Sequence, residues 1–387
     1  MGEWKEYKLG DLIVGNKGYY GIAAPAVDYD RNKYTYLRIT DINDDGTINK
    51  SSLKSVDDKN ADNYILYPND IVFARTGASV GRSYFYEEKD GVLVYAGFLI
   101  KFSIDPKKVN PKILKYYTHS QPYYDWIQTV DNGATRGNIN AQIYASMPVL
   151  LPERKEQDKI VSILSSLDDK IDLLHQENKT LEAMTETLFR KWFIEDAKED
   201  WEDGIIADLI DFNPHRKLSK GNKSPFLEMS NLNTSTYCPI TWRDREFMSG
   251  TKFINGDALL ARITPCLENG KTAYVDFLEE GEVGWGSTEF IVMRAKRGLH
   301  PFFSYIIAKY QDFRDFAESC MAGSSGRQRV DINNLMNYEI KIPEKKVIDV
   351  FNHSINYMVT KMHNNNDEIY SLTQIRNILS FKLMNNE

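Results

Sequence analysis

The sequence predicts a mixed α/β fold of two like domains in tandem, joined by two long helices that pair as an antiparallel coiled coil. Three observations carry this. Landmark stretches recur at a spacing near half the chain, strand-like runs bounded by turn residues fill the first part of each half, and a long apolar stripe with heptad spacing closes each half.

The recurrence is plainest at "LPERKEQDKI" (Leu151 to Ile160) and "IPEKKVIDVF" (Ile342 to Phe351), 191 residues apart. "WKEYKLGDLI" from Trp4 pairs with "WEDGIIADLI" from Trp201 at an offset of 197, and "PNDIVFARTG" from Pro68 with "NGDALLARIT" from Asn255 at 187. "NGATRGNIN" around Arg136 pairs with "GSSGRQRVD" around Arg327, again at 191. Loop insertions account for the drift, and a period this long indicates two domains instead of a solenoid.

Taken in order, residues 1–150 form the first domain, with strands expected in "YTYLRITDI", "DIVFAR" and "VLVYAGFLIKFSI". Residues 151–196 form the central helix, whose apolar positions step by four and three through Ile160, Leu164, Leu167, Ile171, Leu174, Leu181 and Leu188. Residues 197–342 form the second domain, with strands in "DALLARI", "TAYVDFL" and "EFIVMRA". Residues 343–387 form the C-terminal helix, with Phe351, Ile355, Met358, Met362, Ile369 and Leu372 in its stripe. Pro111 and Pro301 each suit the first turn of a shorter helix. One asparagine interrupts each stripe, Asn178 and Asn365, and a seam asparagine fixes register. The central stripe from Ile160 to Trp192 spans roughly 50 Å at 1.5 Å per residue.

Composition narrows the function. A net charge of −7 over 387 residues excludes a general polycation. Three dispersed cysteines (Cys238, Cys266 and Cys320) make neither a disulfide framework nor a zinc site. No apolar segment suits a signal peptide or a membrane span, so a cytoplasmic protein is expected. The Asn-Pro-Pro-aromatic stretch of an adenine methyltransferase is missing, "NPHR" at Asn213 being the nearest match. No P-loop and no H-E-x-x-H occur. Pro68, Asp70, Glu87 and Lys89 spell a loose nuclease pattern that the second half does not repeat with the same spacing.

With "LPERKEQDKIVSILSSLDDKI" opening a coiled coil, "NDIVFARTG" and "GDALLAR" marking strands, and the whole plan occurring twice, the chain resembles the DNA-specificity subunit of type I restriction–modification systems. The resemblance spans essentially the whole sequence. It implies two target-recognition domains that each read half of a split double-stranded DNA site across an unread spacer set by the helices. It also implies a non-catalytic chain that positions two methyltransferase subunits and the restriction/translocase subunits. S-adenosylmethionine, ATP and Mg²⁺ would belong to those partners, with no cofactor or metal in this chain and no membrane partner. The second helix mark departs from the family pattern by lacking the Glu-Gln of the first. Rival readings are the equivalent subunit of a system with a fused methylase–nuclease partner, a Mg²⁺-dependent nuclease, and a coiled-coil adaptor without a DNA role.

Charge distribution supplies the site residues. Glu153 to Asp200 holds eight basic and thirteen acidic residues, whereas Asn213 to Lys223 carries Arg216, Lys217, Lys220 and Lys223 with His215 and no acid. A basic loop of that kind suits phosphate or groove contact, the plain alternative being a solvated loop. Features shared by both halves suit backbone contacts: Arg75 with Arg262, and Arg136 with Arg327, although Arg75 and Arg262 also suit ion pairs at the core edge. Features that differ suit base choice: Arg31, Lys33 and Arg38 against Arg216, Lys217 and Lys220. Asn138 and Gln328 are expected base readers, with Arg329 among the DNA contacts beside them.

Overall fold

The computed structural model describes residues 4–15, 17–131, 137–232, 234–324 and 327–385. The chain forms two units, one of residues 1–170 with 372–387 and one of residues 171–371. Each holds an α/β domain together with a stretch of both long helices, Arg154–Phe189 and Lys345–Met384.

In the first unit, a four-stranded antiparallel sheet runs in the order Tyr19–Tyr20, Leu99–Ser103, Asp70–Ala74, Ser83–Phe85. A second sheet orders Ala26–Val27, Lys54–Val56, Tyr34–Leu37 and Leu93–Tyr95, the last two strands parallel. The second unit repeats the first of these sheets and varies the second. Its first sheet orders Ile210–Phe212, Phe290–Ala295, Asp257–Ala261 and Thr272–Tyr274. Its second orders Arg243–Glu246, Lys223–Leu227, Gly284–Gly286 and Thr251–Phe253, with one parallel pair, Lys223–Leu227 beside Gly284–Gly286. Two-stranded antiparallel ribbons close both domains at the base, Lys5–Lys8 on Pro148–Leu151 and Glu202–Ile205 on Glu339–Ile342.

The repeated Asp in the strand mark has a structural cause. Asn69 (φ 72°) and Gly256 (φ 86°) occupy the left-handed region, which turns the chain sharply into the strand. The next residue, Asp70 or Asp257, accepts the N–H of Tyr67 at 2.9 Å or Ile254 at 2.8 Å and closes that turn. Both carboxylates are buried, so each needs a cationic partner. Asp70 has Lys101 at 3.1 Å and the Ser103 hydroxyl; Asp257 has Arg216 at 3.1 Å and Arg294 at 3.0 Å.

Each unit also explains its helix mark. Gln157, buried at the start of the first long helix, accepts the N–H of Asn110 at 2.9 Å and donates to the Pro152 carbonyl at 2.9 Å. In the second unit the equivalent N–H, that of His300, finds Asn352 at 2.8 Å. Asn352 lies one helical turn beyond the position matching Gln157, so the second mark can lack Glu-Gln and still anchor its domain.

Pairing of the long helices is antiparallel within each unit. In the second, Asn365 donates to Asn178 at 2.8 Å and Asn178 donates to Asn366 at 2.9 Å. Asn366 continues to the Tyr237 hydroxyl at 2.8 Å, which donates to Asp276 at 2.8 Å, so this polar chain ties helix to domain. In the first unit a charged clasp does the same. Lys115 bridges Glu87 at 3.1 Å and Asp168 at 3.0 Å, while Arg376 and the Tyr116 hydroxyl reach Asp168 at 3.1 and 3.0 Å.

That clasp sets an acid limit. Burial acts to raise the Asp168 carboxyl, but Lys115 and Arg376 outweigh it and hold it below the usual carboxylate range. Burial opposes Lys115 and Lys89 at Glu87 in the same way, and Glu87 is also lowered. Groups lowered on folding stabilise fully above their unfolded values, about 4, and lose that contribution as pH falls through the folded values. Asp168→Asn is expected to flatten the dependence of the urea midpoint on pH below about 4; an unchanged acid slope would remove the clasp as its source.

Candidate nucleic-acid interface

The same backbone frame occurs at the end of a central strand in each unit. In the first, the Arg75 N–H donates to the Phe98 carbonyl at 3.0 Å, and the Arg75 carbonyl accepts from Ile139 at 2.8 Å. Gly77 N–H adds a bond to the Gly137 carbonyl at 3.3 Å. In the second, Arg262 N–H donates to Glu289 at 3.0 Å, the Arg262 carbonyl accepts from Val330 at 2.9 Å, and Thr264 N–H reaches Gln328 at 3.1 Å. Every partner is displaced by 187 or 191 residues, so the frames match atom for atom.

Identical frames carry different side chains. In the first unit, the Arg75 guanidinium donates to the Asn138 carboxamide oxygen at 3.3 and 3.0 Å and lies 4.9 Å from the Tyr20 ring centre. The Tyr20 hydroxyl accepts the Ala141 N–H at 3.1 Å, which fixes the ring. Phe98 is 59% exposed beside them, and Lys17 lies 5.1 Å from the exposed Tyr19 ring. In the second unit, Arg329 grips Glu289 with two nitrogens at 2.7–2.9 Å. Arg262 donates to the Val330 carbonyl at 3.0 Å, while its buried Nε lacks a partner among the described residues. Arg262, Arg329, Val330, Asp331 and Asn333 line an open cleft. The Arg329 guanidinium holds the Glu289 carboxyl below its usual range.

Of the expected site residues, the structure brings Arg75 together with Asn138, and Arg262 with the backbone of Val330, beside Thr264 on the Gln328 carbonyl. Two expected base-choice residues are committed elsewhere. Arg38 forks onto the buried Asp41 at 2.9 and 2.6 Å and donates to the Ser52 carbonyl. Arg216 turns inward to Asp257 and is only 17% exposed, because that buried carboxylate requires a counter-charge. Lys33 pairs with Asp57 on the surface. Arg31, His215, Lys217, Lys220 and Arg327 are exposed, and Lys223 is exposed 4.0 Å from Asp244. Arg136 lies outside the described residues.

Asp70 and Glu87 do not form a shared acidic site. Asp70 serves its turn, Ser103 and Lys101, while Glu87 serves Lys89 and Lys115. Among the described residues no group of three or more His, Cys, Asp or Glu side chains is placed to hold a metal ion, and no helix is long and apolar enough to cross a membrane. The sequence reading missed Tyr20, Phe98 and Glu289. Phe98 and Glu289 share the 191-residue offset, which was the available signal; Tyr20 carries none, since its partner Arg75 is 55 residues away.

Residues 1–183 match the family model for the type I restriction modification DNA specificity domain. The chain is 27% identical over 207 residues to the type I restriction enzyme HindI specificity subunit of Haemophilus influenzae, a match covering 50% of this chain and 42% of that one. It is 38% identical over 151 residues to the EcoEI specificity subunit of Escherichia coli, covering 38% and 25%. The match thus spans less than half the length of these relatives. The fold is similar to the crystal structure of a type I restriction–modification system S subunit from M. genitalium, with a TM-score of 0.53, 16% identity, and coverage of 99% of this chain and 96% of that one.

Proposed function

We propose that this chain, whose residues 1–183 match the family model for the type I restriction modification DNA specificity domain, is a non-catalytic subunit recognising double-stranded DNA as a bipartite target with an unread spacer. The observation that carries this is the doubled frame, one at the end of the Asp70–Ala74 strand and one at the end of Asp257–Ala261, each offering different side chains on the same backbone. Shared backbone with divergent side chains is what two readers of unlike half-sites require. Exposed Lys217, Lys220 and Lys223 add a surface for phosphates. Two methyltransferase subunits and the restriction subunits are the proposed partners in the cytoplasm, and they supply S-adenosylmethionine, ATP and Mg²⁺ chemistry. The methyltransferase must extrude its target base from the duplex, since the atoms it modifies are otherwise stacked.

Methylome sequencing of cells expressing this chain with a modification subunit tests the reading, a bipartite methylated motif being expected. Exchanging residues 1–150 for those of a relative should change one half-site and leave the other. A motif changed in both halves would overturn the assignment of one reader to each domain.

A further inference from the structure

We infer that Asn138 and Arg329 are the purine-reading side chains of the two domains, Asn138 directed to an adenine and Arg329 to a guanine, each held by a neighbour in its frame. The inference rests on the DNA-recognition reading above and adds to it which residues choose which base.

Four observations carry it. The two residues are equivalent, since they lie 191 residues apart and immediately precede Ile139 and Val330, whose N–H groups close the frames. Both are exposed, while the residues that follow them are buried, so the frame turns this one position outward. Each side chain is fixed from one side only. Arg75 holds the Asn138 oxygen, which leaves the Nδ2 donors and a share of the oxygen lone pairs pointing away from the frame. Glu289 takes Nε and Nη2 of Arg329, so of the five guanidinium N–H groups the end-on pair at Nη1 and Nη2 remains available.

The residue types complete the argument. A carboxamide donates to N7 and accepts from N6 of adenine, and a guanidinium fork donates to O6 and N7 of guanine. Preorganisation favours both contacts, because a side chain already held in place loses less freedom on meeting its base. Gln328, by contrast, corresponds to Gly137 in the other half, so no common reading position exists there. Arg75 and Glu289 are positioning residues in this scheme.

Selection of duplexes from a random pool by the full-length chain tests it. The parent should enrich two half-sites. Arg329→Asn should change one position of one half-site and lose about ten- to hundredfold of its preference for guanine there. Arg329→Lys keeps the charge and can still donate to O6 and N7 but loses the two-nitrogen grip on Glu289, so it should keep the salt dependence of binding and retain only part of that preference. Glu289→Gln should relax the same position and no other, and Asn138→Arg should turn a preferred adenine into guanine in the opposite half-site. Uniformly weaker binding of every duplex by Arg329→Asn, with the motif intact, would make Arg329 a phosphate contact and overturn the inference. A parent chain that enriches no duplex would instead overturn the recognition reading itself.

Discussion

Replacing Phe351 with Ala is expected to destabilise the second unit by about 3–5 kcal/mol, as for other large aromatic deletions in packed cores. Phe351 is fully buried on the C-terminal helix, with ring centres 4.9 Å from Phe193, 6.1 Å from Trp192 and 6.3 Å from Phe303. Phe189 and Phe193 stack at 5.3 Å in the same cluster. The truncation therefore removes the wedge by which one helix meets both the other helix and the domain. Urea unfolding should show the midpoint fall, and Phe351→Leu should recover most of it. A midpoint unchanged in the Ala variant would mean that the aromatic cluster is not what seats this helix.

Asp257→Ala is expected to cost about 3 kcal/mol, near the low end for breaking a buried ion pair because Arg216 and Arg294 retain 17% and 29% exposure. Two losses combine. The turn loses its acceptor for the Ile254 N–H, and two guanidiniums are left facing each other without a counter-charge. For a unit of this size the melting temperature should fall by roughly 6–12 °C. Asp257→Asn keeps an acceptor for the turn but not the charge, so its loss should be smaller. Equal melting of Asn and Ala variants would show that the turn bond contributes little.

Much of the architecture was legible because the duplication writes its punctuation twice. The strand marks, the proline-led short helices and the two heptad stripes all lie where the offsets placed them. Other features depend on contacts distant in sequence. The run from Val92 to Ile104 reads as one strand, yet Leu93–Tyr95 and Leu99–Ser103 belong to different sheets. Arg216 reads as one member of a basic loop, because nothing local reveals that Asp257 needs it. Asn178 and Asn365 each interrupt a stripe, but they lie 187 residues apart instead of 191, and only the antiparallel pairing brings them together. Of the candidate site, the repeat points to Arg75 and Arg262, whereas the contacts of Arg75 with Asn138 and of Arg329 with Glu289 join residues 63 and 40 positions apart that no local pattern pairs.

The ribbons at the base of each domain have a mechanical consequence. Lys5 lies opposite Leu151 and Lys8 opposite Pro148; likewise Glu202 faces Ile342 and Ile205 faces Glu339. Chain entry and exit thus leave each ribbon at the same end. Tension applied between them would peel the ribbon one rung at a time, since only the outermost hydrogen bonds bear the load at any moment. A strand pair pulled from opposite ends shares the load across all its rungs and resists far more. Each ribbon is thus loaded in the geometry in which its rungs share a pull least. A pull along the chain would open Lys5 from Leu151, or Glu202 from Ile342, while the sheets above stayed whole.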